Sequence, residues 1–470
     1  MRNLTLAIGV VAMLAAGAGW AATHETKAKP LVHSRTPEQA LARAVTPARL
    51  KAHLSALEAI ARRNGGTRAV GTRGYTQSVD YVVKQLRKAG YRPRKNMFSF
   101  EFFRETRPTV FDRVAPGFKH YSSGPDFITM RYSGGGNVTA QVVPVDLSST
   151  SGCESGDFAR FPAGAIALMR RGGCPFSQKA GNAESHAAAG ALIANDGPPG
   201  RTAPLSATIF GPGVQIPVLV VSSQVEDELA RLAQLGTVRV HLNLSVVTTR
   251  ARAANVIADL PGRKGGFVLL GGHLDSVASG PGINDNGSGS ALVLEVARQA
   301  RRLHIRPKHG LRFAFWGGEE LGLLGSTSYV QGLSRPARRK ILDVLNFDMV
   351  GSPNPGRIVY AGRGEARGST RIENAFRAYF AVERVPFEVE SLGGASDYAA
   401  FSRAGIPVGG LFTGADEVKS AAQAQVFGGT ANRPFDSCYH KACDTVANVD
   451  LGMLEQLSDA GAVVALRLAR

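Results

Sequence analysis

Three short apolar runs, 267–270, 311–316 and 344–347, are each followed within a few residues by hard donors: His273 and Asp275, then Glu319 and Glu320, then Asp348. Apolar runs that alternate with helical stretches such as 289–303 signal an α/β domain with a largely parallel sheet buried on both faces. In open sheets of this kind, reactive groups gather at the carboxyl ends of the strands, where loops meet helix starts. The pattern therefore constrains both the fold and the edge on which its chemistry lies. A further apolar run, 358–360, continues the series.

A hydrolytic zinc needs about three protein ligands and an open position, and two zincs can share a carboxylate. His273, Asp285, Glu320, Asp348 and the late His440 meet that need. His273 and Asp348 serve one ion, Glu320 and His440 the other, and Asp285 lies between them. Asp285 belongs to the glycine-rich segment 282–289, where the backbone can approach an ion closely. Glu319, turned by about 100° from Glu320 on a helical turn, is left free to hold water as a general base. Each residue alone has an ordinary explanation, such as a packed histidine or a turn-capping aspartate. Their joint placement at strand ends points to a two-metal hydrolytic site.

Arg2 precedes an apolar run from Leu4 to Gly19 that ends in Gly19-Trp20-Ala21, the pattern of a cleaved export signal over 1–21. The run is shorter than the roughly 20 residues of a bilayer span, so no membrane anchor is expected after cleavage. An exported protein, periplasmic or extracellular, is the consequence. Residues 22–45 are polar and aperiodic and read as a flexible leader or propeptide. Losing 1–21 removes only Arg2, so the formal net charge of +18 falls only to +17. The basic residues are scattered along the chain and no nucleic-acid motif accompanies them, so a nucleic-acid partner is not expected. A monomer is the expectation.

Four cysteines fall in two separated pairs, Cys153 with Cys174 and Cys438 with Cys443, and in an exported chain nearest-neighbour disulfides are the simplest reading. For the second pair, the neighbouring His440 keeps a cysteine-based zinc site open as an alternative. Helical spacing appears at Leu50, Leu54, Leu57 and Ile60, and again at Val79, Val82, Val83 and Leu86, while 97–103 alternates as a strand does. From 114 to 247 the texture changes to short β-type runs between Gly and Pro clusters, a compact β-rich insert within a domain built from 46–113 and 248–470.

The segments His273-Leu274-Asp275-Ser276, 282–289, 319–326, Asn346-Phe347-Asp348-Met349 and 438–444 together resemble the M28 family of di-zinc peptidases. Through 405–414 and 420–425 the likeness extends to secreted aminopeptidases of the Streptomyces type. The resemblance implies a phosphorylase/hydrolase-like α/β domain, a three-layer sandwich around a mostly parallel mixed sheet. It implies two zinc ions held as above, Glu319 as base, Tyr439 donating to the developing oxyanion, and Met349, Gly394 and Phe412 lining a pocket for a large apolar side chain. Asp275 and Asp397 would stand behind the ligands. Gly152-Cys153, 164–176 and 187–195 resemble a protease-associated domain, an α+β insert that gates or docks substrate or simply stabilises the fold. Two positions depart from the pattern: Ala395 stands where an arginine is expected, and Tyr398 where many members carry histidine.

The resulting expectation is a zinc exopeptidase acting on the amino ends of peptides or proteins. A carboxypeptidase or dipeptidase on the same scaffold would need a cationic pocket, for which Arg363 and Arg367 are the candidates. A non-catalytic binding protein would lack ligands, and a one-zinc glutaminyl cyclase would lack the second metal's set.

Overall fold

The three apolar runs lie within adjacent parallel strands. The structure, a computed structural model, describes residues 36–470 except 149, 198–201, 206, 210–212 and 392. The expected export signal and residues 22–35 lie outside the described residues. The larger sheet contains β1 Arg94–Glu105, β2 Val246–Leu260, β3 Phe267–His273, β4 Gly310–Trp316, β5 Ile341–Phe347, β6 Ile358–Tyr360, β7 Glu388–Glu390 and β8 Val408–Phe412, in the order β1-β2-β4-β3-β5-β8-β6-β7. Strands β4, β3, β5 and β8 are parallel, while β1 and β2 run antiparallel at one side and β6 runs antiparallel to β8.

Alternation along the central strands sends successive side chains to opposite faces. Val268, Leu270, Phe313 and Phe315 pack with Leu54, Val82, Leu292 and Leu454 from the helices Pro47–Arg63, Arg73–Lys88, Gly289–Arg302 and Leu451–Leu468. Leu269, Ala314, Trp316 and Val344 pack on the other face with Tyr329 and Phe401 from the helices Leu324–Gln331 and Tyr398–Arg403. Both faces are covered, which is why these strands read as continuous apolar runs rather than as alternating ones. The result is the expected three-layer sandwich.

Two stretches differ from the sequence reading. Pro37–Ala44, placed within the aperiodic leader, is a helix: Thr36 and Gln39 form a capping box, and Leu41 and Ala42 are buried against the main core. Eight residues with three alanines and one leucine carry too little periodicity to announce themselves. The strand expected over 97–103 runs longer, from Arg94 to Glu105, and pairs along its whole length with β2. The outer part of β2 is polar and exposed, so only the β1 side of the ribbon carries an alternating signature.

The insert is a second sheet with its own cores. Its strands include Val110–Ala115, Gly136–Pro144, Ile166–Arg170, Gly190–Ala194, Val218–Val221 and Arg239–Leu244. Four of them, from Gly136–Pro144 to Val218–Val221, are parallel neighbours, and the helices Phe176–Ser185 and Ser223–Leu235 complete an α+β module. Its sheet begins at Val110, four residues ahead of the boundary at 114. Cys153 is bonded to Cys174 inside it, and Cys438 to Cys443 in the main domain, so the cysteines form disulfides rather than a cysteine zinc site.

Candidate active site

Each donor arrives from a different element at one edge of the sheet. His273 is the last residue of β3, Asp348 follows β5, and Glu319 and Glu320 follow β4. These two glutamates sit in a turn closed by Gly322 N and Leu323 N on Glu319 O, ahead of the helix at Leu324. The turn, not the helix expected from sequence, sends them apart: Glu319 lines the cleft, and Glu320 lines a small cavity against the insert. Asp285 lies in a tight turn, 283–288, that feeds the helix Gly289–Arg302. His440 is carried by the loop closed by the Cys438–Cys443 disulfide and has a left-handed φ of 57°, a conformation that a non-glycine residue holds only when its surroundings enforce it.

The donors form two linked groups. His273 Nε2 lies 3.2 Å from Asp285 Oδ1 and 3.2 Å from Asp348 Oδ1. His440 Nε2 lies 3.1 Å from Asp285 Oδ2 and 3.2 Å from Glu320 Oε2. Asp285 thus turns one oxygen to each histidine. Glu319 stands outside both triads, its Oε2 3.9 Å from His273 Nε2. Ligand atoms of His273, Asp285 and Glu320 all fall within 4.8 Å of one another, and Glu320 Oε1 is buried without a hydrogen-bond partner. Two imidazoles and three carboxylates around such an orphaned oxygen fit a pair of divalent ions.

Electrostatics follow from this crowding. Burial alone would lower the His273 pKa, but the Asp348 and Glu319 carboxylates outweigh it and hold it well above the usual value. His440 is likewise raised to about 10, its hydrogen bonds to Asp285 and Glu320 overcoming burial. Burial pushes the Glu319 carboxyl well above the usual range, with Asp348 and Glu320 adding to it against the pull of His273. Tyr439 stacks on His440 with ring centroids 3.8 Å apart and lines the cleft. Burial, then the Asp285 and Glu320 carboxylates, keep its phenol protonated.

A supporting layer fixes these groups. Asp275 Oδ1 is 3.7 Å from His273 Nδ1 and accepts from Glu319 N at 3.3 Å, orienting a histidine from behind as carboxylates do at metal sites. Asp397 is buried, and burial raises its pKa to about 7. Three further groups were not singled out from the sequence. Ser396 Oγ donates to Asp348 Oδ2 at 2.6 Å. Asp444 accepts from the backbone N–H groups of Asn284 and Asp285 at 2.7 and 3.0 Å; its place directly after Cys443 was the available signal. Arg68 is fully buried and donates to the carbonyls of Leu274, Pro281 and Gly282, and no pattern around it in the sequence marks that role.

The cleft beside the donors has a volume of about 460 Å³. Met349, Tyr360 and Phe412 give it an apolar wall, Glu390 and Glu417 an acidic one, and among the described residues no lysine or arginine lines it. Gly394 is not among the lining residues, although its neighbours Gly393 and Ala395 are. Its N–H donates to the Tyr398 hydroxyl at 2.8 Å. Arg363 and Arg367 also lie away from the cleft, in a loop that packs on Ser402 and Pro407 near the start of β8.

A family model described as "Peptidase family M28" matches residues 255–465, and one described as "PA domain" matches 138–229. An "Aminopeptidase" of Pseudomonas aeruginosa is 41% identical over 98% of this chain and 91% of that protein. The chain belongs to peptidase family M28. Like others of that family it is a peptide hydrolase, with the protease-associated domain inserted into the peptidase domain. "Leupeptin-inactivating enzyme 1" of Streptomyces exfoliatus is 52% identical over 45% of this M28 peptidase and 47% of that protein, in line with the Streptomyces-type resemblance. The fold is shared with a zinc aminopeptidase from Bacillus subtilis at a TM-score of 0.71 and 23% identity, over 89% of this chain and 94% of that one.

Proposed function

We propose that this M28 peptidase is an exported two-zinc aminopeptidase that removes large apolar residues from the amino ends of peptides. The observation that carries the direction of cleavage is the charge of the cleft. Glu390 and Glu417 stand in it with the ligand carboxylates and, among the described residues, no lysine or arginine, which suits a substrate's α-ammonium group and disfavours a free α-carboxylate. Met349, Tyr360 and Phe412 supply the apolar surface for the first side chain. The aminopeptidase names of the relatives and the zinc aminopeptidase of the same fold support the same reading. The disulfides agree with export.

His273 and Asp348 would hold one zinc, Glu320 and His440 the other, with Asp285 shared between them. When bound, the ions would polarise the scissile carbonyl and lower the pKa of water. Glu319, half-buried at the cleft and free of both triads, would accept the proton from that water and deliver it to the leaving amine. Tyr439, kept protonated, would donate to the carbonyl oxygen as it gains charge. Asp275 would hold His273 and the Glu319 turn in one register.

The test compares leucine p-nitroanilide with an amino-blocked peptide that has a free carboxyl end, alongside zinc content per chain. Cleavage of the first only, with two zincs bound, is expected; equal cleavage of the blocked peptide would overturn the assigned direction.

A further inference from the structure

The basic residues that are scattered along the sequence are gathered in the fold. Five loops, 261–266, 303–309, 333–340, 361–368 and 403–407, lie at the sheet edge opposite the one that carries His273, Glu319 and Asp348. They form one continuous band. Arg263 N donates to Pro307 O at 3.1 Å, Lys264 N to Lys308 O at 2.7 Å, Phe267 N to Lys340 O at 2.7 Å and Val344 N to Pro407 O at 2.9 Å. Ala366 N closes the series on Ser402 Oγ at 3.0 Å.

Together these loops carry eleven Lys and Arg against one acid, Glu365, a net of ten of the chain's +18. Arg263, Lys264, Arg306, Arg339, Lys340 and Arg367 are exposed. The nearby carboxylates of Asp259, Asp343 and Glu38 are already paired, with Arg312, Arg371 and Arg470, and so leave the band's charge in place. The loops contain no Phe, Tyr or Trp, the side chains on which single-stranded bases stack. The band follows six neighbouring strands, β2-β4-β3-β5-β8-β6, and at about 4.8 Å per strand it is roughly 25 Å wide. A one-sign surface of that breadth matches a plane of anionic groups better than it matches one small anion.

We propose that this edge docks the enzyme on an anionic phospholipid surface through headgroup phosphates, leaving the cleft on the opposite edge open to solution. Two adjoining clefts of the band share Arg263, His304 and Arg306, where a headgroup phosphate meets two guanidinium groups. The contact is peripheral and electrostatic, so it weakens as salt shortens the reach of the charges.

The test is co-sedimentation of the full chain with phosphatidylglycerol vesicles and with phosphatidylcholine vesicles, at about 0.1 M and about 0.5 M salt. Binding to phosphatidylglycerol alone, lost at the higher salt, is expected. Each basic residue near an anionic bilayer contributes on the order of fivefold in partitioning. A variant with Arg263→Glu, Lys264→Glu, Arg306→Glu and Arg339→Glu should therefore bind at least ~100-fold more weakly, with unchanged hydrolysis of a small soluble peptide. A control with the same net charge, Arg62→Glu, Arg104→Glu, Arg107→Glu and Arg160→Glu, replaces exposed residues outside the band and should keep its binding. Equal loss in both variants would show that net charge alone acts, and the proposal would fall. It would fall equally if the wild-type chain ignored phosphatidylglycerol, or bound a DNA duplex but no vesicle.

Discussion

Asp285 is the residue on which the site's symmetry turns, because its two oxygens face two different histidines. Glu319 is set apart from it by geometry rather than by chemical type. Asp285 is buried and Glu319 half-buried, and Asp285 lies within 3.2 Å of each imidazole while Glu319 comes no nearer than 3.9 Å to His273. Glu319→Gln keeps the shape of the side chain and its backbone contact to Asp275 while removing the proton acceptor. We expect kcat to fall by roughly 10²–10⁴-fold with metal content per chain unchanged. Wild-type turnover, or loss of metal in parallel with activity, would reassign Glu319. Arg68 illustrates a different dependence: Arg68→Met would leave the carbonyls of Leu274 and Pro281 without donors, while Gly282 O would keep only Gly287 N. At about 1–3 kcal/mol for each unsatisfied buried group, a loss of about 2 kcal/mol or more of stability is expected in denaturant melts.

Among the elements, the terminal helix Leu451–Leu468 carries a carboxylate whose burial works against it. Asp459 is raised to about 7 by burial and by the neighbouring Glu455 and Glu383, and its Oδ1 is buried without a partner. Because the folded state holds this proton more tightly than the unfolded chain does, the associated stability is complete below about pH 4 and is lost as pH rises through about 7. Asp459→Asn should therefore raise the melting temperature at pH 8 and leave it nearly unchanged at pH 4; the opposite ordering would refute the linkage. The same scale explains which parts were legible in sequence. Strands β3, β4 and β5 are buried on both faces and end in the donors they carry, so their apolar runs gave the sheet and its reactive edge together. The outer part of β2 and the short helix Pro37–Ala44 draw their order from pairing and packing partners distant in sequence, which no local period records. The five donors and Glu319 stood in motifs, whereas Arg68 and Ser396 act through contacts that exist only after folding.

At the scale of the whole molecule, the insert is not a bystander beside the site. Arg131, from the insert, donates through Nη1 to the carbonyl of Glu320 at 3.0 Å, and its own backbone is held by Ala207 and Ile209. Tyr132 Oη donates to Glu101 O at 2.6 Å on β1. A hydrogen bond thus joins the insert to the turn that presents Glu320. Arg131→Ala removes one hydrogen bond, worth about 1 kcal/mol, and on the proposed ligand set should make an ion at Glu320 and His440 exchange about fivefold more readily to a chelator. An ion at His273 and Asp348 should be unaffected; equal exchange of both would show that the insert is mechanically independent. The loop that carries His440 has a further implication. A covalent bond between Cys438 and Cys443 persists only where thiols are oxidised, so a copy in a reducing compartment would hold the His440 imidazole loosely. On the proposed export route the chain would then carry its own safeguard for the cell that makes it, acquiring full appetite for peptides only beyond that compartment.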